Sequence, residues 1–330
     1  MTMSRIYIYI AAFASLLLAS CQEKNDVHLD SLADQVTVTY NIRMSGTQAV
    51  KADEEAAPIV TTLRWAAYST TDQQPSSETD MTLAKLIDTG KLDITGSEIS
   101  APVRFIRDQN FVVIFWAHNE AKSHYIIPED GDLRTVRMNT SSDDEYTLSS
   151  NDSSRDAFYA VDYVVKAGTN PIDAVELVRP IAQINIGTHN ESITIGNNQL
   201  NLSQSEFIVT GLNTAFSPVS GSLSEPRDVI FRASDLLKDE YGNYYIFESS
   251  QREYIQVALN YVFAPVQTSE SYDMSFIINI EDGYPIELDV PNVPVRANYR
   301  TNIIGDLLTS NTSYTITFTK EFSDVQVKPF

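Results

Sequence analysis

The chain has 330 residues, with 23 Lys and Arg against 44 Asp and Glu, a net charge of −21. Such a charge repels nucleic-acid phosphates and anionic lipid head groups, so no nucleic-acid partner is expected. The single cysteine, Cys21, excludes an internal disulfide. Stability must then come from burial, in a chain that is 43% apolar and holds 17 Tyr and 14 Phe.

Arg5 precedes an apolar run from Ile6 to Leu18, and Ala19-Ser20-Cys21 closes it. A basic start, a short apolar stretch and small residues at its end mark a secretory signal. The run is shorter than the ~20 residues that a membrane-spanning helix needs. A cysteine at the end of such a segment resembles a bacterial lipobox. That resemblance implies a signal peptide over 1–20, a lipid on Cys21 and anchorage in the outer membrane through the lipid alone. Residues 21–35 are polar and acidic without periodicity and read as a tether.

Val36, Val38, Tyr40 and Ile42 alternate with Thr37, Thr39 and Asn41, the period of two of a strand with one buried face. Arg43 follows, and then a polar stretch over residues 44–60 with Lys51 and Asp53-Glu54-Glu55. Strands are expected at Leu63–Tyr68, Val103–Ile106, Phe111–Trp116, Arg134–Met138, Phe158–Val165 and Ala174–Val178. Met81–Ile87 fits a short helix or an irregular strand, and Ser141–Asp156 reads as loop. Further strands are expected at Ala182–Ile186, Phe207–Thr210, Val229–Phe231, Tyr244–Phe247, Ile255–Phe263, Met274–Ile280, Ile286–Val290 and Tyr314–Phe318. Ser234–Lys238 fits one helical turn. A last short strand holds Val325 and Val327. Many short strands and almost no helix predict an all-β chain of two β-sandwich domains, over 36–174 and 175–330.

Residues that could carry chemistry are sparse. His28, His118, His124 and His189 lack metal-ligand spacing, and His118 and His124 read as surface residues. Glu129-Asp130-Gly131-Asp132 and Asp143-Asp144-Glu145 read as solvated turns without the spacing of a calcium loop. No nucleophile motif or phosphate loop is present. No catalytic residue, metal or cofactor is expected, and the chain is not expected to be an enzyme. Trp65 and Trp116 sit in apolar strands, where packing accounts for them better than a sugar platform.

Four stretches go beyond composition. They are Phe115-Trp116-Ala117, Arg155-Asp156-Ala157-Phe158, Arg179-Pro180-Ile181-Ala182-Gln183-Ile184-Asn185-Ile186, and the segment from Val293 to Thr309 that includes Asn298-Tyr299-Arg300-Thr301-Asn302. In this order, behind the lipobox, they resemble the fimbrillin (FimA/Mfa-like) family of type V pilins. The resemblance implies two tandem transthyretin-like β-sandwiches. It also implies a surface lipoprotein precursor that is polymerised into a fimbrium serving adhesion and biofilm formation. In that family a processing protease cuts after a basic residue and removes the lipidated segment with the first strand. Here the cut would fall after Lys51 or Arg43, with Val36, Val38, Tyr40 and Ile42 on the displaced strand. A terminal strand of another pilin subunit then fills the groove, and Val325 and Val327 are the candidate donor, with an ordinary edge strand as the other reading. The alternative function is a non-polymerising surface lipoprotein that binds glycan or another ligand.

Overall fold

The computed structural model describes residues 34–44, 60–71, 85–96, 98–140, 147–168, 174–189, 206–232, 245–249, 252–279, 284–307, 313–320 and 326–327. The expected sites Cys21, Lys51 and Val325 lie outside these residues, as does the expected helical turn Ser234–Lys238.

The first half runs through β1 (Gln35–Met44), β2 (Thr62–Thr70), β3 (Lys85–Asp93), β4 (Glu98–Ile106), β5 (Asn110–His118), β6 (Tyr125–Ile126), β7 (Val136–Met138), β8 (Thr147–Ser149), β9 (Ala157–Val164) and β10 (Val175–Leu177). The second half holds β11 (Ile181–Thr188), β12 (Glu206–Ser217), β13 (Ser222–Arg232), β14 (Tyr245–Ser249), β15 (Arg252–Phe263), β16 (Glu270–Ile278), β17 (Ile286–Val295), β18 (Tyr299–Asp306), β19 (Ser313–Lys320) and β20 (Gln326–Val327). Two 3-10 turns are fully described, Glu120–Lys122 and Ser153–Arg155. The chain is all-β, as its composition predicts.

Four sheets result. Their orders are β10-β1-β4, β3-β2-β5-β9, β17-β16-β12-β13-β8 with β6 and β7 attached through β12, and β19-β18-β11-β15-β14-β20. They enclose two cores, and β5 belongs to both. Phe111, Val113 and Phe115 point into the smaller core with Tyr40, Val103 and Phe105. Val112, Ile114 and Trp116 point into the larger core with Ile184, Phe216 and Phe263. A strand buried on both faces reads as a continuous apolar run, which is how Phe111–Trp116 appears in the sequence. The motif Phe115-Trp116 is thus one aromatic for each core.

Leu177 enters the smaller core and Ile181 the larger, but Tyr125, Val136, Leu148 and Tyr159, which precede the expected boundary at residue 175, also enter the larger. The strands β7 and β8 pair with β12 and β13, across that expected boundary.

Several elements differ from expectation. Residues 85–93 form strand β3, longer than expected and the strand alternative of the two readings of Met81–Ile87 over its described part. The stretch read as loop up to Asp156 contains β8 and a 3-10 turn. The segment from Val293, for which no strand was expected, holds the end of β17, a tight turn and β18. Its polar residues hid the strand, because Arg300 and Asn302 occupy a second buried face instead of solvent.

Candidate functional site

β1 lies in the middle of its sheet. It pairs antiparallel with β4 along its length, from Gln35 opposite Ile106 to Arg43 opposite Glu98. Its last three residues also pair parallel with β10, from Ile42 opposite Val175 to Met44 opposite Leu177. Tyr40 and Ile42 are buried, Val36 and Val38 are half-buried, and Thr37, Thr39 and Asn41 are exposed. The Tyr40 ring meets the Phe115 ring edge-on at 5.0 Å, and its hydroxyl donates to Asp162 Oδ2 on β9 at 2.9 Å. Burial, with the Asp162 carboxylate beside it, pushes the phenol far above its usual range and keeps it a donor. Without β1, β4 and β10 would carry unpaired edges, and Ile99, Ala101, Val103 and Phe105 would lose their cover.

Arg43 remains inside this ladder, between Glu98 and Glu176. Its Nη2 lies 3.1 Å from Glu98 Oε1, and both side chains are exposed. At the other end of the chain, Val327 in β20 pairs with Tyr245 of β14 at the edge of the six-stranded sheet.

The remaining motif residues converge on a second, buried place. Arg179 Nε lies 2.9 Å from Asp156 Oδ1 and Nη2 lies 2.9 Å from Oδ2, with the two side chains 4% and 3% exposed. The guanidinium lies over the Phe158 ring, 4.5 Å from its centroid. Asn298 holds the turn between β17 and β18 at φ 61°, a left-handed conformation that asparagine tolerates. Its backbone N–H donates to Ile181 O at 2.8 Å, and its side chain accepts from Arg179 Nη1 at 3.5 Å. β11 and β18 run parallel with Asn185 opposite Asn302, and Asn185 Nδ2 donates to Asn302 Oδ1 at 2.9 Å. Asn302 Nδ2 donates onward to Thr317 Oγ1 on β19 at 3.1 Å. Three of the four motifs therefore build one polar joint, and the fourth, at Trp116, supplies the aromatic core. The sequence signal that could have found the ion pair is the position of each charge, in or beside an apolar run.

His118 and His124 are buried, not at the surface as expected. His118 lies two residues before the turn Glu120–Lys122, and His124 reaches across to the turn Ser153–Arg155. His124 Nε2 lies 2.7 Å from Ser154 Oγ and 3.1 Å from Asp152 Oδ2. Burial alone would raise the Asp152 carboxyl, but hydrogen bonds from His124 and Ser154 and the nearby positive charge hold it well below the carboxylate range. Serine and aspartate share one imidazole nitrogen here. A nucleophile relay needs them on opposite nitrogens, so the trio clamps two loops. Burial pushes the His118 imidazole down to about 4.

The turn at Asp130-Gly131-Asp132 is also structural. Asp132 accepts from the Tyr68 hydroxyl at 2.7 Å and pairs with Arg134. No group of three potential metal ligands occurs among the described residues. Both tryptophans are buried. Trp65 lies across Gly90, where a Cβ would fall 2.0 Å from the indole, and its Nε1 donates to Asp88 Oδ2 at 3.1 Å. Trp116 sits among Tyr125, Phe216 and Phe263. Neither offers a platform to a sugar.

A family model described as a family of unknown function, DUF6562, matches residues 30–327. No curated protein matches the chain. Solved structures similar to it include a putative polysaccharide-binding protein from Bacteroides thetaiotaomicron, with 10% identity and a TM-score of 0.46 over 81% of this chain and 90% of that one. A fimbrial assembly protein from Parabacteroides distasonis shows 12% identity and a TM-score of 0.44 over 87% and 97%. The tip fimbrial protein Mfa3 from Porphyromonas gingivalis shows 11% identity and a TM-score of 0.43 over 86% and 98%. At such scores the likeness carries no argument about function.

Proposed function

The chain belongs to the DUF6562 family, a family of unknown function, and from that premise we propose that it is a cell-surface, fimbrial or adhesin-type subunit whose first strand is a removable plug. The observation that carries this reading is the seat of β1. It is the first described strand, it lies in the middle of its sheet, and it covers an apolar groove with alternate side chains. A groove of that kind recognises an extended strand through main-chain hydrogen bonds and pockets for every second residue.

In this reading Cys21 carries the lipid and holds the precursor at the outer membrane. A protease then cuts after Lys51, because Arg43 is tied into the ladder between Glu98 and Glu176. Lipid and β1 leave together, and a terminal strand of another subunit takes the vacant place. The segment with Val325 and Val327 is the candidate donor; among the described residues β20 pairs with β14 through Gln326 and Val327. Assembled subunits would then serve adhesion and biofilm formation. The chain binds and assembles, and no catalytic step is assigned to it.

Limited digestion with a trypsin-like protease tests this. One truncation between residues 43 and 51 is expected, then growth of oligomers, with Lys51→Gln slowing the cut. Protein that loses residues up to 51 cleanly and stays monomeric overturns the reading.

A further inference from the structure

The edges of the four sheets are not treated alike. β17 carries Glu287, Asp289, Pro291 and Pro294. β3 carries Lys85, Asp88, Lys91 and Asp93, and β4 carries Glu98, Pro102 and Arg104. β9 carries Asp162 and is bridged by Val178. The edge strands β8, β10 and β20 are only two or three residues long. Charges, prolines and shortness are the devices by which proteins keep sheet edges from pairing with other chains.

β19 has none of them before its last residue. Ser313-Tyr314-Thr315-Ile316-Thr317-Phe318-Thr319 is seven residues without charge or proline, ended by Lys320. It pairs with β18 in unbroken register, from Tyr299 opposite Lys320 to Asp306 opposite Ser313. No strand pairs with its outer side among the described residues. Tyr314 and Phe318 stand 36% and 37% exposed. The strand is also held firmly from behind. Phe318 stacks on Tyr299 at 4.9 Å, and Thr317 Oγ1 lies 3.1 Å from Asn302 Nδ2 and 3.0 Å from Ser249 Oγ.

We propose that β19 is a pairing edge for β19 of a second copy, joining the two six-stranded sheets antiparallel about a two-fold axis at Ile316. The side chains match themselves in that register. Tyr314 falls opposite the other copy's Phe318, Thr315 opposite Thr317, and Ile316 opposite itself. Aromatic and threonine pairs of this kind stabilise antiparallel neighbours. Charge selects the same place: two copies at −21 repel, and residues 313–319 let the backbones approach without opposing carboxylates. Because the contact is isologous and the other long edges are guarded, association stops at two copies. The proposal does not depend on the β1 reading, and its test uses unprocessed protein.

The full chain, purified in mild detergent, is followed by sedimentation over a wide concentration range. A reversible monomer–dimer equilibrium is expected, weakened about tenfold or more by Ile316→Lys, which sets two cations face to face. Ile316→Cys, combined with Cys21→Ser so that its thiol is unique, forms a cross-linked dimer on mild oxidation. Tyr314→Cys in the same background does not, because its own counterpart lies four strand residues, ~13 Å, away. A chain that stays monomeric at every concentration overturns the proposal. So does a dimer indifferent to Ile316→Lys, or equal cross-linking from both cysteine variants. Association through the apolar run Ile6–Leu18, revealed by a dimer that does not cross-link at position 316, overturns it as well.

Discussion

Asp156 and Arg179 are nearly out of water and satisfy each other through two parallel hydrogen bonds. Breaking such a pair costs far more than the pair adds, because one uncompensated charge stays buried. Asp156→Asn should therefore destabilise by ~3–5 kcal/mol in urea unfolding. Asp156→Leu combined with Arg179→Met should cost clearly less than the two single changes added together. An additive double variant would show that the residues do not act as a pair. His118 adds a pH dependence. Its folded pKa is about 4, against 6.5 for the free imidazole, with burial the main cause and with Glu120, Arg64 and His124 as the charges around it. Between these values the unfolded chain binds the extra proton, so stability is full above pH ~6.5 and falls as the pH drops towards ~4, by ~3 kcal/mol in total. His118→Phe should flatten that slope, since Nδ1 has no hydrogen-bond partner to lose. An unchanged slope in the variant would assign the dependence to other groups. The ion pair had a signal in the sequence, a charge beside each apolar run, but the role of His118 was not legible there. His118 ends an apolar run as any strand-end residue might, and its burial shows only in the fold.

β1 was legible because one of its faces meets solvent, so polar and apolar residues alternate. β18 was not, because both of its faces are buried, Arg300 and Asn302 included, and Asn302 bonds inside the protein. β3 was obscured by its charges, which suit an edge strand and blur the period. The alternation in β1 also orders its energetics. Tyr40→Phe removes one hydroxyl and leaves Asp162 half in solvent, at ~1 kcal/mol. Tyr40→Ala opens a cavity beside Phe105 and Phe115, at ~3–5 kcal/mol. Thr39→Ala, on the exposed face, should stay within ~0.5 kcal/mol. Thermal unfolding ranks the three. If Thr39→Ala cost as much as Tyr40→Ala, β1 would not bury the face assigned to it.

The molecule as a whole is not two independent halves. β2 and β5 each send alternate residues to different cores. Leu63, Trp65, Phe111 and Phe115 enter the smaller, and Ala66, Tyr68, Ile114 and Trp116 enter the larger. The sharing was not legible in the sequence, since periodicity shows that a strand is buried on both faces and not what covers each face. Unfolding either core would strip one face of the same two strands, at a cost of several large buried side chains worth ~1.5–3 kcal/mol each. The cores should therefore unfold together. The two tryptophans report on them separately, Trp65 on the smaller and Trp116 on the larger. Trp65→Phe leaves the second indole as the only reporter, and Trp116→Phe leaves the first. In each variant the fluorescence and far-ultraviolet circular dichroism transitions in urea should coincide, which is the test of a single cooperative step. Two resolved steps, with Trp65 following one and Trp116 the other, would mean that the shared strands do not couple the cores.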